Sequence, residues 1–445
     1  MTSPQPLLSR KSGPLNGAAR IPGDKSISHR ALMFCALFLG ETIISGLLEG
    51  EDVISTAAAL RAMGAEVERG GDGLWRIHGV GIGGLRQPDQ ILDMGNSGTS
   101  ARLLMGLAGS HPITATFTGD ASLLKRPMQR VMTPLAMMGV KFEAQEGGRL
   151  PIKITGPKDL LSIEYRLPVA SAQVKSAILL AGLNARGATT VIESTPTRDH
   201  TENMLRHFGY DARVEKLADG AEAITVIGQQ ELQPCAVDVP GDPSSAAFPA
   251  VAAVLNEGSD ITLSRIAVSG RRNGLYRTLQ EMGADIAFEH ERIESGERVA
   301  NIRVKGSTLK GITVPPERVP SMIDEFPILA MAASCANGTT IMTGLEELRV
   351  KESDRLAMIA NGLKQCGVNL EMGESSLTIH GTGKPPKGGA KISTALDHRI
   401  AMSFLVLGSV TDEPIQIDDA TPIKTSFPNF VKLMGELGVG ISEGN

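Results

Sequence analysis

Cations stand where helices are due to begin. The run Gly23-Asp24-Lys25-Ser26-Ile27-Ser28-His29-Arg30 places a turn-forming glycine and several anion-seeking side chains directly ahead of the apolar stretch 31–39. The spacing predicts a helix starting near Lys25 or Ser26, where unpaired backbone N–H groups and aligned peptide dipoles favour a negative ligand. Ser26 and Arg30 are four apart and share one face. Five more segments lead into buried helices: Gly-Asn-Ser-Gly-Thr at 95–99, Ser-Ala-Gln at 171–173, Gly-Asp-Pro-Ser-Ser at 241–245, Ile-Asp-Glu at 323–325 and Asp-His-Arg at 397–399. Their Ser, Asn, Asp and Thr residues are good N-caps. Lys25 and Arg399 need another reason, because a cation at a helix N-terminus opposes the dipole; a bound anion would supply it.

Other basic residues suit the same ligand. Arg126, followed by Pro127 at the end of a turn-rich loop, carries a guanidinium that can fork onto carboxylate or phosphate. Lys351-Glu352-Ser353-Asp354-Arg355 reads as the start of an outer helix, with Lys351 and Arg355 on one face and Glu352 beside them; a solvated i,i+4 pattern would look the same. A nucleotide-binding G-x-x-x-x-G-K-[ST] loop is absent, since Asp24 separates Gly23 from Lys25. The eight histidines include no H-E-x-x-H, and His200 and His207 have no third ligand nearby, so no metal is expected. His398, beside Arg399, reads equally as a cap or a substrate contact.

These sites need elements to carry them, and 445 residues are too many for one ordinary core; two domains of roughly 200 residues each are expected. Apolar content of 42% and charged content of 21% fit a globular enzyme or binding protein. Aromatics at 3% and a net charge of −5 argue against a nucleic-acid partner, although clustered cations can still make a local positive cleft. Cys35, Cys235, Cys335 and Cys366 form no C-x-x-C pair, which suggests buried thiols in a reducing compartment. Residues 1–14 lack an apolar stretch after Arg10 and Lys11, and no uncharged run is long enough to span a bilayer, so a cytoplasmic location is expected.

The chain repeats one unit six times. A closing phrase of the Met-Gly-Ala type recurs at 63–65, 138–140, 208–210, 282–284, 366–368 and 437–439, each with glycine where a helix ends in a left-handed cap. The phrases close one-sided helices over 52–63, 128–138, 201–208, 274–282, 351–366 and 427–437. Upstream of each lies a more apolar helix, over 28–39, 99–109, 172–183, 245–255, 326–336 and 399–408, which should be buried. Strand-like pieces between them give β-α-β-α-β-β, about every seventy residues. Three units make a plausible domain, so residues 24–240 form one and 241–445 the other. Segments 111–116 and 381–390 look like loops, the second a candidate for disorder or an insertion.

Lined up in this way, the chain resembles the 5-enolpyruvylshikimate-3-phosphate (EPSP) synthase family over 17–438. The telling pieces are Pro22 to Ala31, Gly95-Asn96-Ser97-Gly98-Thr99, Arg126-Pro127-Met128, Leu345 to Arg355, and Asp397 to Met402. The resemblance implies the α/β, two-domain enolpyruvyl transferase fold, each domain three β-α-β-α-β-β repeats with buried parallel helices. The N-terminal strand, within 1–23, is then expected in the second domain, and the active site in the interdomain cleft. It also implies transfer of the enolpyruvyl group of phosphoenolpyruvate to the 5-hydroxyl of shikimate 3-phosphate, with release of phosphate, through a tetrahedral intermediate. No metal or organic cofactor is implied.

By the same resemblance, shikimate 3-phosphate would be bound by Lys25, Ser26, Arg30, Ser171, Ala172, Gln173, Arg198 and Lys351, and phosphoenolpyruvate by Lys25, Asn96, Gly98, Arg126, Gln173, Arg355, Arg399 and Lys424. Asp324 and Glu352 would be the proton-transferring carboxylates, with Lys25 stabilising charge. Arg198-Asp199-His200-Thr201-Glu202 and Ser171-Ala172-Gln173-Val174-Lys175 look like the family's second class, which includes herbicide-tolerant members. Two features depart from that class: its Asn-x-Thr-Arg element reads Ser269-Gly270-Arg271-Arg272, and the position where alanine narrows the pocket is Gly98. Glyphosate is therefore expected to compete with phosphoenolpyruvate. The protein is expected to be a monomer without membrane or nucleic-acid partners. The alternatives are UDP-N-acetylglucosamine enolpyruvyl transferase, whose loop cysteine has no counterpart at 119–127, and a non-catalytic phosphometabolite-binding protein, which would not need Asp324 and Glu352 beside the cations.

Overall fold

A computed structural model describes residues 4–444. The chain divides into two compact units. The first comprises Gly23–Val239 with the short segment Ile293–Glu297; the second comprises the N-terminal stretch to Pro22, Pro240–Arg292 and the chain from Arg298 onward.

Each unit holds three sheets; among the described residues five share one four-stranded order, and the sixth, in the second unit, keeps three of its strands. In the middle repeat of the first unit, Leu92–Asp93 leads into helix α3 (Gly98–Gly109), strand Thr114–Thr118, helix α4 (Gln129–Met137) and the hairpin Lys141–Gln145 and Arg149–Thr155. Leu92–Asp93 runs parallel to Thr114–Thr118, which pairs antiparallel with Arg149–Thr155, and that strand with Lys141–Gln145. Strict alternation explains the last of these: Leu150, Ile152 and Ile154 are buried and their neighbours exposed. The segment 111–116 is thus only partly a loop, because Thr114 to Thr116 belong to a central strand with Ala115 buried in its sheet.

The other first-unit helices are α1 (Lys25–Cys35) and α2 (Glu51–Ala62), then α5 (Ala172–Gly182) and α6 (His200–His207). Odd-numbered helices are the apolar ones. α3 and α5 lie so close that a Cβ on Gly106 would sit 2.2 Å from the Ala177 carbonyl oxygen, an approach that only glycine permits. Their starts consequently meet.

The second unit carries α7 (Pro243–Leu255), α8 (Gly274–Glu281), α9 (Phe326–Cys335), α10 (Arg355–Gln365), α11 (His398–Gly408) and α12 (Phe430–Glu436). Its core is built from α7, α9 and α11, with Ala247, Val251, Leu329, Ala333, Phe404 and Leu407 all buried. The N-terminal strands complete two of its sheets. Asn16–Arg20 lies parallel to Asp260–Ala267, and Leu7–Arg10 sits between Ile415–Ile417 and Gly440–Glu443.

The six closing glycines, Gly64, Gly139, Gly209, Gly283, Gly367 and Gly438, all have positive φ, from 72° to 109°. The capping geometry read from the repeat is what the backbone adopts. Two expectations need correcting. Lys351 does not open α10: it is the extended residue that closes the 3-10 turn Glu346–Val350, residues 351–354 are non-helical, and the helix starts at Arg355, capped by Asp354. Segment 381–390 is not disordered: Gly381 and Thr382 end a strand, and the loop is fixed by hydrogen bonds from Gly383 to Ala336 and from Glu413 to Lys387. Its glycine and proline content reads as flexibility until those partners are known.

Candidate active site

In the first unit, Lys25 is the opening residue of α1, and Asp24 caps the helix by accepting from the Ile27 amide at 2.8 Å. The Lys25 ammonium pairs with the buried carboxylate of Asp52. The charge that opposes the dipole is therefore met from within the chain, so a bound anion is not required to explain it. Arg30 is 3% exposed. Its Nε donates to Thr201 Oγ1 at 2.9 Å, Nη1 to the Ser26 carbonyl at 2.9 Å and Nη2 to Ser176 Oγ at 2.7 Å, leaving two of its N–H groups for a ligand. Burial pulls Arg30 down to about 10, against the pull of Glu202 and Asp24, and the neighbouring Arg198 adds to the fall. At neutral pH the guanidinium stays charged.

A second group forms where α3 and α5 begin. Arg126 Nη2 donates to Asn96 Oδ1 at 2.8 Å and Ser122 Oγ at 3.1 Å, while Asn96 Nδ2 donates to Asp120. Gln173 Nε2 donates to Thr99 Oγ1 at 2.9 Å, and its Oε1 accepts from Arg102 Nη1 at 2.8 Å. A Cβ at Gly98 would meet Arg102 Nη1 at 2.8 Å and Arg126 Nη1 at 3.2 Å. Ser171 caps α5, Ala172 opens it, and both are half-buried. Arg102 was missed by sequence reading; its place one turn after Gly98 was the available signal.

In the second unit, Arg355 organises a carboxylate cluster. It is 1% exposed, which removes the solvated i,i+4 alternative. Nε donates to Asp397 Oδ2 at 2.8 Å, Nη1 to Asp324 Oδ1 at 3.1 Å, and Nη2 forms a close ion pair with Glu352. Burial would lower the Arg355 pKa, but Asp397, Glu352 and Asp324 together raise it above the ordinary arginine value. Lys351 Nζ lies 3.6 Å from Asp324 Oδ1. Arg399 Nη1 donates to the Asp324 carbonyl at 3.2 Å and stands 3.8 Å from Glu325 Oε1. Lys424 is different. It is exposed on the 3-10 turn Thr421–Thr425, and among the described residues no ion pair or side-chain hydrogen bond joins it to this cluster.

Asp397 was read only as part of a helix start. It is fully buried and does three things: it caps α11 through the Arg399 amide, holds Arg355, and accepts from Ser353 Oγ. Glu325, also missed, is buried and tied to Ser244, which accepts from Arg272 at 3.0 Å. Both signals were present in the motifs, but a cap and a ligand orienter look alike in sequence. Each unit's group can bind anions through its guanidinium and ammonium groups, and the second unit's carboxylates, held beside its own cations, can move protons.

The fold is that of the enolpyruvyl transferases. The family model described as EPSP synthase (3-phosphoshikimate 1-carboxyvinyltransferase) matches residues 9–434. The chain belongs to the EPSP synthase family. The 3-phosphoshikimate 1-carboxyvinyltransferase of Paramagnetospirillum magneticum is 59% identical over the full length of both chains, and that of Brucella melitensis biotype 2 is 57% identical over 99% of this chain and 98% of its own. Among solved structures, EPSP synthase from Acinetobacter baumannii superposes with a TM-score of 0.87 at 46% identity, covering 99% of this chain and 100% of its own. The enolpyruvyl transferase NikO from Streptomyces tendae shares the fold, with a TM-score of 0.75 at 17% identity over 99% of each chain.

Proposed function

We propose that this protein transfers the enolpyruvyl group of phosphoenolpyruvate to the 5-hydroxyl of shikimate 3-phosphate and releases phosphate. The observation that carries the reading is the full-length 59% identity to an enzyme named 3-phosphoshikimate 1-carboxyvinyltransferase. The two clusters give it a chemical basis. Phosphoenolpyruvate and shikimate 3-phosphate each bring a carboxylate and a phosphate, so Lys25, Arg30, Arg126, Arg198, Lys351, Arg355 and Arg399 supply the matching cations. Ser26, Ser171, Ala172 and Gln173 orient shikimate 3-phosphate, whereas Asn96 and Gly98 shape the phosphoenolpyruvate side; Lys424 is assigned to phosphoenolpyruvate by the family resemblance alone.

In the addition step the 5-hydroxyl oxygen bonds to C2 of phosphoenolpyruvate as its proton leaves, and C3 gains a proton, giving a tetrahedral ketal phosphate. In the elimination step the C2–O bond to phosphate breaks and C3 loses a proton, which restores the methylene in the product. Asp324 and Glu352 are the proton-transferring carboxylates, both oriented by Arg355, while Lys25 stabilises developing charge. Glyphosate competes with phosphoenolpyruvate, since Gly98 keeps a methyl group away from Arg102 and Arg126. The protein works as a monomer in the cytoplasm, a reading that its free cysteines suit; burial raises the thiols of Cys335 and Cys366 to about 12 and leaves them inert.

The test is phosphate release with both substrates present. Wild-type protein should turn over, and Glu352→Gln should lower kcat by at least about a hundredfold, the scale of a lost general acid or base. No release from wild type would end the reading; an active Glu352→Gln would remove Glu352 from the chemistry. Inhibition by glyphosate that persists unchanged after a tenfold rise in phosphoenolpyruvate would rule out competition.

A further inference from the structure

The two motifs that carry Gln173 and Arg198 contain residues the reaction does not use: Lys175, His200 and Glu202. They are joined. Lys175 is fully buried, and its ammonium donates to Glu193 Oε2 at 2.8 Å and Glu202 Oε1 at 2.7 Å. These carboxylates bracket the segment that holds Arg198. Glu193 ends the strand Ala188–Glu193 and is further bonded to Thr197, while Glu202 lies in the first turn of α6. One residue before it, Thr201 Oγ1 accepts from Arg30 Nε and shares a 2.8 Å hydrogen bond with Ser176 Oγ, itself the neighbour of Lys175 on α5. At the opening of α6, His200 Nδ1 is bonded to Glu297 Oε1 at 2.8 Å.

A buried ammonium between two carboxylates gives little net stability, because the desolvation of all three groups offsets most of the attraction. What such an arrangement does supply is geometry: both ends of a loop are held to one point on a core helix. The loop here would otherwise be free to shift at Ser194 to Pro196, which are exposed. Arg30 is drawn into the same lattice through Thr201 and Ser176, so two cations on separate elements acquire a common reference.

We propose that Lys175 is a positioning residue that, through Glu193 and Glu202, places Arg198 and Arg30 and so sets affinity for shikimate 3-phosphate rather than for phosphoenolpyruvate. The inference rests on the substrate reading given above. It assigns to the buried half of both motifs a task in substrate selection, without contact to substrate.

Calorimetric titration of shikimate 3-phosphate alone, with steady-state KM for each substrate, tests it. Wild type must bind shikimate 3-phosphate for the substrate reading to stand, which separates that failure from this one. Glu202→Gln keeps the side-chain shape but removes one of the two charges on Lys175; it should weaken shikimate 3-phosphate about tenfold while the phosphoenolpyruvate KM moves less than twofold. Thr201→Val removes the hydroxyl shared by Arg30 and Ser176, taking from the buried Arg30 Nε its acceptor, and should weaken shikimate 3-phosphate about fivefold. Should Glu202→Gln fail to fold, Glu193→Gln, which removes the other carboxylate charge on Lys175, decides by the same two affinities. Equal losses for both substrates, or a lower Tm with both affinities unchanged, would overturn the proposal and leave Lys175 a structural ion pair.

Discussion

Gly98→Ala is the sharpest test of the phosphoenolpyruvate side. The added Cβ would stand 2.8 Å from Arg102 Nη1 and 3.2 Å from Arg126 Nη1, where ordinary contact begins at 3.4 Å, so Arg102 must retreat by about 0.6 Å and Arg126 by about 0.2 Å. Both obstacles are the far ends of flexible side chains, hence the fold should survive with a loss under about 1 kcal/mol. Retreat strains the bonds from Arg102 to Gln173 and from Arg126 to Asn96, each 2.8 Å. A hydrogen bond to a charged group contributes roughly 1.5–3 kcal/mol. Forfeiting about half of one, about 0.75–1.5 kcal/mol, predicts a rise of about 4- to 13-fold in KM for phosphoenolpyruvate, together with a higher glyphosate inhibition constant. Shikimate 3-phosphate should change less than about threefold, because Arg30 and Arg198 are untouched and only the shared Gln173 is disturbed on its side. Steady-state kinetics with each substrate varied, and inhibition measured at fixed phosphoenolpyruvate, give the answer. If the phosphoenolpyruvate KM stays within twofold of wild type, the two guanidiniums do not define that pocket.

Arg126→Ala should raise the KM for phosphoenolpyruvate by about a hundredfold and that for shikimate 3-phosphate far less; equal losses would show the two ligand sets to be wrongly divided. Asp397→Asn removes one of three carboxylates on the buried Arg355. Breaking a buried pair costs about 3–5 kcal/mol, less here because Asp324 and Glu352 remain, so a loss of about 2–3 kcal/mol and a Tm lower by about 5–10 °C are expected by calorimetry. A change under 1 kcal/mol would mean that those two suffice. His29 is buried and held well below the ordinary histidine value of 6.5, by desolvation first and then by Lys25 and Arg30. Below that value the unfolded chain takes up a proton that the native state refuses. Native stability is therefore full above pH 6.5 and falls as pH drops, by up to about 1.4 kcal/mol per unit for one such group. Urea midpoints from pH 7 to 5 should decline less steeply in His29→Gln, and an unchanged slope would show that His29 does not titrate on unfolding.

The repeat was legible because each turn of it is local. A Met-Gly-Ala phrase reports a helix end through the φ that glycine alone adopts easily, and the six glycines bear this out. Lys25 and Arg399 stood out since their charge conflicts with the helix starts they hold, and Arg126 because it precedes Pro127 at the end of a turn-rich loop. Lys351 misled for a local reason too: its spacing to Arg355 is helical, yet its backbone is extended and the chain bends over 351–354 before the helix begins.

By itself the sequence determined six β-α-β-α-β-β units, their buried helices and the cations at the helix starts, since these follow from periodicity, capping and charge within some seventy residues. Only the tertiary structure decided which side chains those starts exchange. Arg355 with Asp397, Arg102 with Gln173, and Lys175 with Glu193 and Glu202 each join residues distant in sequence, and their low exposure is what gives a hydrogen bond or charge its directing force. Pattern along a chain carries no record of that burial until the helices have packed.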